Sequence, residues 1–313
     1  MEKQEFIDFL VSRNWATKPA SDLFHTSIID SDMELSDWRA SFVGAFCTSY
    51  NHERVHIIRG IASVLRVNVP QWSDFSKANV ALIREDLLSK CSANTAKTYL
   101  AMLRSVFATY SDAGVLPSNS YKKEMRVRKE PSQHIALTEE EIELIHKYQP
   151  KSETESDVKR DFMIEALCGA RSSDVKSLTE DNIVGGWLTY VSQKTKTETK
   201  VPVHKYLTEY IRQPRHGEHN RSCCNKVIQR ICQNVGINDE IKLFVAGRWQ
   251  TKPKYQFCGT HTGRRSFATC LAVRGVPVAV ISKMMGHASV NQTSHYITFD
   301  VQQISDSALS FFN

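Results

Sequence analysis

Six residues in the second half of the chain carry side chains that together could transfer a phosphoryl group: Arg171, Lys194, His261, Arg264, His287 and Tyr296. They lie in ALCGARSSDVKSL around Arg171, QKTKTETKVPV around Lys194, HTGRRSFAT at 261–269 and MGHAS at 285–289, with Tyr296 nine residues after His287. A phosphodiester repels nucleophiles and gathers further negative charge on its nonbridging oxygens as phosphorus becomes pentavalent, so a catalyst needs fixed cations there. Arginine suits that clamp because its planar fork matches two phosphate oxygens and keeps its charge. A phenol, with a pKa of about 10, can attack phosphorus and can also leave in the reverse step. Histidine can move the protons, and no step calls for a metal or other cofactor. Taken singly, each residue has an ordinary reading as a surface ion-pair partner, a satisfied polar group or half-buried packing. Order and spacing are what single out the set.

The ordered set resembles the catalytic domain of the tyrosine recombinase, or phage integrase, family. That family's signature is an Arg, a Lys on a hairpin, H-x-x-R, a later His or Trp preceded by Gly, and a Tyr nine residues on. His261 and Arg264 make the H-x-x-R, Gly286 precedes His287, and Asp174 is the acid three residues after Arg171. The resemblance implies that Arg171 and Arg264 clamp the scissile phosphate and that Tyr296 attacks it, leaving a 3′-phosphotyrosine. His261 then assists proton transfer at the attacking oxygen, and His287 donates a hydrogen bond to a nonbridging oxygen. In the family the lysine that protonates the departing 5′ oxygen sits on the turn between strands two and three, where Lys194, Lys196 and Lys200 are available. Counting seven back from Val201, the family's spacing, selects Lys194, with Lys196 its competitor. Ala170 stands where the family often has Leu, and Thr262-Gly263 fills the H-x-x-R where an apolar residue often precedes the Arg; both bear on packing rather than charge.

The implied activity is that of a site-specific recombinase or integrase that cleaves and rejoins DNA strands through a Holliday junction. Its partners would be double-stranded DNA carrying specific recombination sites and three further copies of itself, a homo-tetramer joined through the C-terminal tail, with room for accessory DNA-bending or directionality factors. A type IB-like topoisomerase and a catalytically silent DNA-binding regulator of the same fold are the other readings.

The elements that must position these residues fall into two halves. Residues 1–121 show helical spacing only, as in Phe42, Val43, Phe46, Cys47 and again Val55, Ile58, Ile61, Leu65. The clearest helix runs from about Ala93 to Ala113, stopped by Gly114 and Pro117; Lys97 lies off its apolar stripe and joins the expected DNA contacts. Residues 122–135 form a basic linker in which Lys122, Lys123, Arg126, Arg128 and Lys129 read either as a solvated connector or as a strap crossing a phosphate backbone. Residues 136–313 form the catalytic domain. It opens on the Thr138/Glu141 capping box, has a helix over Val158–Gly169, and changes period at Ile183-Val184, Gly185-Gly186, Trp187–Val191 and Val201–Val203, a three-stranded antiparallel sheet. Helices return over Cys224–Val235, Thr262–Arg274 and Val278–Met284. The fold class is mainly α with a small antiparallel sheet, and the resemblance implies a helical core-binding domain and a catalytic domain closing on DNA as a C-shaped clamp. After Tyr296 the apolar Ile297, Phe299, Val301, Ile304, Leu309, Phe311 and Phe312 form either a helix finishing the chain's own core or, as the resemblance implies, a segment docked on a neighbouring protomer.

Composition agrees with this reading without deciding it. The net charge of +6 and pI near 8.8 suit a polyanionic partner. No apolar run approaches the roughly 20 residues of a membrane span and no signal peptide is evident, so a cytoplasmic, nucleoid-associated protein is expected. The eight cysteines include no C-x-x-C pair and read as reduced thiols.

Overall fold

The computed structural model describes residues 41–50, 54–110 and 121–297. The helix stop at Gly114 and Pro117, residues 1–35 and the tail beyond Ile297 lie outside the described residues. The chain divides after Ser132 into two units, each with its own apolar core.

The first unit is helical, with α1 (Phe42–Ser49), α2 (Val55–Leu65), α3 (Lys77–Lys90) and α4 (Ala93–Tyr110). Leu100, Leu103, Val106 and Phe107, spaced three or four apart on α4, are its buried stripe. Phe107 and Phe42 both pack on Phe75, with ring centroids 4.8 and 4.4 Å away. The same core takes in Tyr121 and Met125, so the expected linker begins as a helical turn, Tyr121–Glu124, anchored in this unit. Glu124 turns away from the neighbouring cations toward Lys77 and Arg84, at 4.0 and 3.5 Å. Lys122, Lys123, Arg126, Arg128 and Lys129 are exposed, as is Lys97.

The second unit opens with α5 (Glu139–Lys147), where the Thr138 hydroxyl accepts from Glu141 N and the Glu141 carboxylate accepts from Thr138 N. Helix α6 (Glu153–Cys168), capped by Ser152, is buried along most of its length and ends at Gly169. Strands β1 (Ile183–Val184), β2 (Trp187–Val191) and β3 (Glu198–Pro202) form an antiparallel sheet in chain order, as the period change predicts. Helices α7 (Leu207–Arg212), α8 (Arg221–Asn234), α9 (Thr260–Val273), α10 (Val278–Met284) and α11 (Val290–Ser294) complete the layer around α6. Between α8 and α9 stands an antiparallel ribbon that the sequence reading missed, β4 (Glu240–Val245) and β5 (Arg248–Pro253). Its turn is Ala246-Gly247 with both residues at positive φ, 53° and 79°; alanine rarely takes the left-handed conformation, so the usual Asn-Gly or Asp-Gly signal is absent. Among the described residues no helix is long and apolar enough to cross a membrane.

Gly263 explains one departure from the family pattern. A Cβ there would stand 2.8 Å from the Phe162 carbonyl oxygen and 3.1 Å from Glu165 Cβ, so α9 lies against the backbone of α6. That approach sets the depth of Arg264. Gly263→Ala should therefore cost about 1–3 kcal/mol by overpacking, lowering the melting temperature by several degrees, measured by thermal denaturation; an unchanged melt would mean that the contact has slack.

Candidate active site

Three helix ends and one strand turn meet at the expected residues. Helix α9 starts at Thr260, so His261 and Arg264 are one turn apart on its first two turns and face the same side. Arg264 is fully buried. Its Nη1 donates to the Gly169 carbonyl at the C-terminus of α6, and its Nη2 donates to the Met285 carbonyl at the C-terminus of α10, 2.6 Å away. Nη2 also donates to His287 Nε2 at 2.8 Å. Helix C-termini carry partial negative charge, so this cation is held by carbonyl dipoles rather than by a carboxylate.

Arg171 stands just before the helical turn Ser172–Val175 and is mostly covered. It donates to Ser192 Oγ at 2.8 Å and to the Gly286 carbonyl at 3.2 Å. The same carbonyl accepts from Thr195 Oγ1 at 3.2 Å, which ties the β2–β3 turn to the Gly286-His287 segment. Gly286 can make that approach because its φ is +60° and a Cβ would meet Thr199 Oγ1 at 2.6 Å. Buried Asp174 accepts from Ser192 Oγ at 3.0 Å and from Gln193 N at 2.9 Å, fixing the strand end that carries Lys194. Lys194 is exposed on that turn and its charge acts on His261, whereas Lys196 occupies the corner at φ 53°.

Tyr296 follows α11, its amide donating to the Thr293 carbonyl at 2.8 Å. Its ring is half-buried, 5.0 Å from the His287 ring, with the Arg264 and Arg265 guanidinium carbons 5.7 and 5.9 Å from its centroid. Arginine can only donate, so His287 Nε2 accepts from Arg264, and Nδ1 carries the proton toward Thr293 Oγ1 at 2.8 Å. Burial, reinforced by Arg264 and Arg171, holds His287 down at about 4. Burial likewise holds His261 at about 4, with Arg221, Arg265, Arg264 and Lys194 pushing the same way. Both rings are neutral at neutral pH.

The charges do not cancel. Arg171 has Asp174 at 4.0 Å, but Glu165, beneath Arg264, is driven by burial up to about 8 and is uncharged at pH 7. Arg264 Nε and His261 Nδ1 are buried without a hydrogen-bond partner among the described residues. The unused Arg264 donor, on a guanidinium that no ionised carboxylate pairs, lies beside a tyrosine ring and forms a seat for an anion, and the forks of Arg171 and Arg264 suit a phosphodiester. The structure thus gathers Arg171, Arg264, His287 and Tyr296, brings His261 within the field of the same cations, and leaves Lys194 on a tethered turn. Sequence reasoning did not find Ser192, Thr293, Arg221 or the proximity of Arg265 to Tyr296, because hydroxyls and lone arginines carry no spacing signal. The strap residues and Lys97 belong to the other unit.

The phage integrase family matches residues 136–303. The integrase of Escherichia phage 186 is 24% identical over 224 residues, 71% of this chain and 62% of that protein. The integrase of Haemophilus phage HP1 is 26% identical over 143 residues, 46% of this chain and 37% of its own length. Tyrosine recombinase XerC of Thermodesulfovibrio yellowstonii is 26% identical over 243 residues, 71% of this chain and 77% of the relative. The chain therefore spans less than two thirds of the two phage integrases. Among solved structures, a lambda integrase dimer bound to a core site superposes with a TM-score of 0.61 at 16% identity, over 87% of this chain and 100% of that one. XerH recombinase bound to its palindromic difH substrate gives 0.55 at 18% identity, over 84% and 77%. Both show a shared fold.

The histidines make a prediction about stability. Their folded pKa of about 4 lies below the ordinary 6.5, so the unfolded chain binds protons that the folded chain refuses. This contribution is complete above about pH 6.5 and is lost as pH falls toward 4. Glu165, raised to about 8, slopes the other way between about pH 4.5 and 8, so the test is a difference. The double variant His261→Gln, His287→Gln should lose less melting temperature between pH 7 and pH 5 than the parent does; equal losses would refute the buried, neutral assignment.

Proposed function

The chain belongs to the phage integrase family, and on that premise we propose that it is a site-specific tyrosine recombinase acting on double-stranded DNA. The observation that carries this reading is the ring of Tyr296 beside the buried, carboxylate-free guanidinium of Arg264, with Arg171 anchored to the same Gly286-His287 segment. Arg171 and Arg264 bind nonbridging oxygens of the scissile phosphate. Arg264 must then turn its Nη2 from His287 toward the phosphate, and the arriving negative charge favours a proton on His287, which becomes a donor. Tyr296 Oη attacks phosphorus as its proton passes to neutral His261; the bond from phosphorus to the 5′ oxygen breaks, and that oxygen takes a proton from Lys194. The 3′-phosphotyrosine keeps the energy of the broken ester, and the 5′ hydroxyl of a partner strand reverses the step to give a Holliday junction.

The two units act as a clamp on the duplex, with Lys97 and the five strap cations on its phosphates. Recombination joins four protomers in the nucleoid, with accessory DNA-bending or directionality factors acting on the assembly. The apolar tail past Ile297 docks on a neighbour's second unit, where a cavity of about 370 Å³ is lined by residues such as Ile142, Leu167, Phe267 and Leu271. A phage-derived or transposon-derived setting places the recombination sites beside the gene.

Duplexes tiled across the DNA that flanks the gene, each nicked so that the cleaved end diffuses away, should trap a covalent adduct. Tyr296→Phe should bind these duplexes and give none. Lys194→Ala should cleave poorly, roughly 100-fold or more below the parent, and should recover on DNA whose 5′ leaving atom is sulfur, which needs no proton. Recovery in Lys196→Ala instead would reassign the acid, and an adduct of normal yield in Tyr296→Phe would overturn the nucleophile.

A further inference from the structure

The β4–β5 ribbon has no part in the chemistry above, yet its surface is built for contact. Ile241 and Leu243 pack on the core of the second unit, so the opposite face, with Lys242, Phe244, Trp249 and Thr251, points outward. Trp249 is 58% exposed, edge-on to Phe244 at 5.5 Å and covered on one side by the Lys242 amine at 5.4 Å. Arg248 follows the turn, and Lys252 stands on β5 with its amine 6.0 Å over the Phe257 ring. None of these three cations makes an ion pair among the described residues, and Glu240 is the only acid on either strand. Gln133 extends the outer edge of β4: its amide donates to the Phe244 carbonyl at 2.9 Å, and its side-chain oxygen accepts from Phe244 N at 2.7 Å.

We propose that this ribbon is a DNA-contacting arm of the second unit, with Lys242 and Arg248 on backbone phosphates and Trp249 against a base or sugar of the duplex beside the cleaved position. The inference rests on the recombinase reading for the identity of its partner, and the occupant it commits to is double-stranded DNA. Three considerations favour it. A two-stranded ribbon matches the width of the major groove. Unpaired lysine and arginine gain by releasing condensed counterions, whereas protein interfaces are depleted of lysine. An exposed aromatic ring with the Lys242 amine over one face can pack on a sugar or a thymine methyl at the groove wall.

The probe is a fluorescent 40-base-pair duplex of random sequence, titrated at several salt concentrations with the parent, Trp249→Ala and the double variant Lys242→Ala, Arg248→Ala. All three side chains are exposed, so melting curves should coincide, and the charged pair can be judged even if the tryptophan variant unfolds. The double variant should flatten the slope of log affinity against log salt by about 1.8, two contacts at about 0.9 each. Trp249→Ala should weaken binding about fivefold through lost apolar contact, with its slope unchanged because no counterion is released at an uncharged ring. Slopes and affinities equal to the parent's would overturn the proposal. It would equally fall if the parent self-associated without DNA in sedimentation and Trp249→Ala did not, since the ribbon would then be a contact between protomers. Because Tyr296→Phe should bind the same duplex like the parent, this result stands apart from the trapping assay, where failure of the recombinase reading would appear.

Discussion

The arrangement depends on how a fully buried guanidinium is kept charged. Desolvating Arg264 is costly, and the usual remedy, a carboxylate at salt-bridge distance, would cancel its positive charge. The fold instead points the C-termini of two helices at it, through the carbonyls of Gly169 and Met285. These are fixed dipoles of fractional charge. They satisfy the guanidinium in the free protein and leave most of its charge for a phosphate. The carboxyl beneath it, Glu165, is neutral under the same burial, so it does not compete.

Much of the remaining architecture follows from that constraint. Helix α6 must end at Gly169, and α9 must approach α6 closely enough that position 263 has no side chain. Helix α10 must end at Met285, which places Gly286 where its carbonyl can hold Arg171 and the Lys194 turn together. His287 then meets Arg264, and Thr293 joins His287 to the segment that carries Tyr296. These segments are joined by hydrogen bonds through this centre, and the neutral histidines are a consequence of placing imidazoles among desolvated cations.

What the sequence disclosed and what it hid divide along the same physical line. Regular elements announce themselves by period and by caps: the Thr138 box, the stop at Gly169, the Gly185-Gly186 turn and the exact span of α10 were all readable. The six candidate residues stood out through order and spacing, and of these the fold brings Arg171, Arg264, His287 and Tyr296 together. The carbonyl seat of Arg264 was not, since every residue has a carbonyl and only the fold says where it points. The β4–β5 ribbon escaped because Ala246 takes a conformation alanine rarely adopts. The basic stretch read as a linker because composition shows its charge but not that Tyr121 and Met125 anchor its first turn in a core.

The central claim is that Arg264, carboxylate-free and buried, offsets charge on a nonbridging oxygen of a phosphate. The most direct measurement replaces that oxygen. Cleavage of a flanking duplex by folded Arg264→Ala would be compared on the ordinary phosphodiester and on a methylphosphonate at the scissile position, where the charge is gone. The variant should be roughly 100-fold or more slower than the parent on the phosphodiester and close to it on the methylphosphonate. A folded variant equally impaired on both substrates would contradict the account.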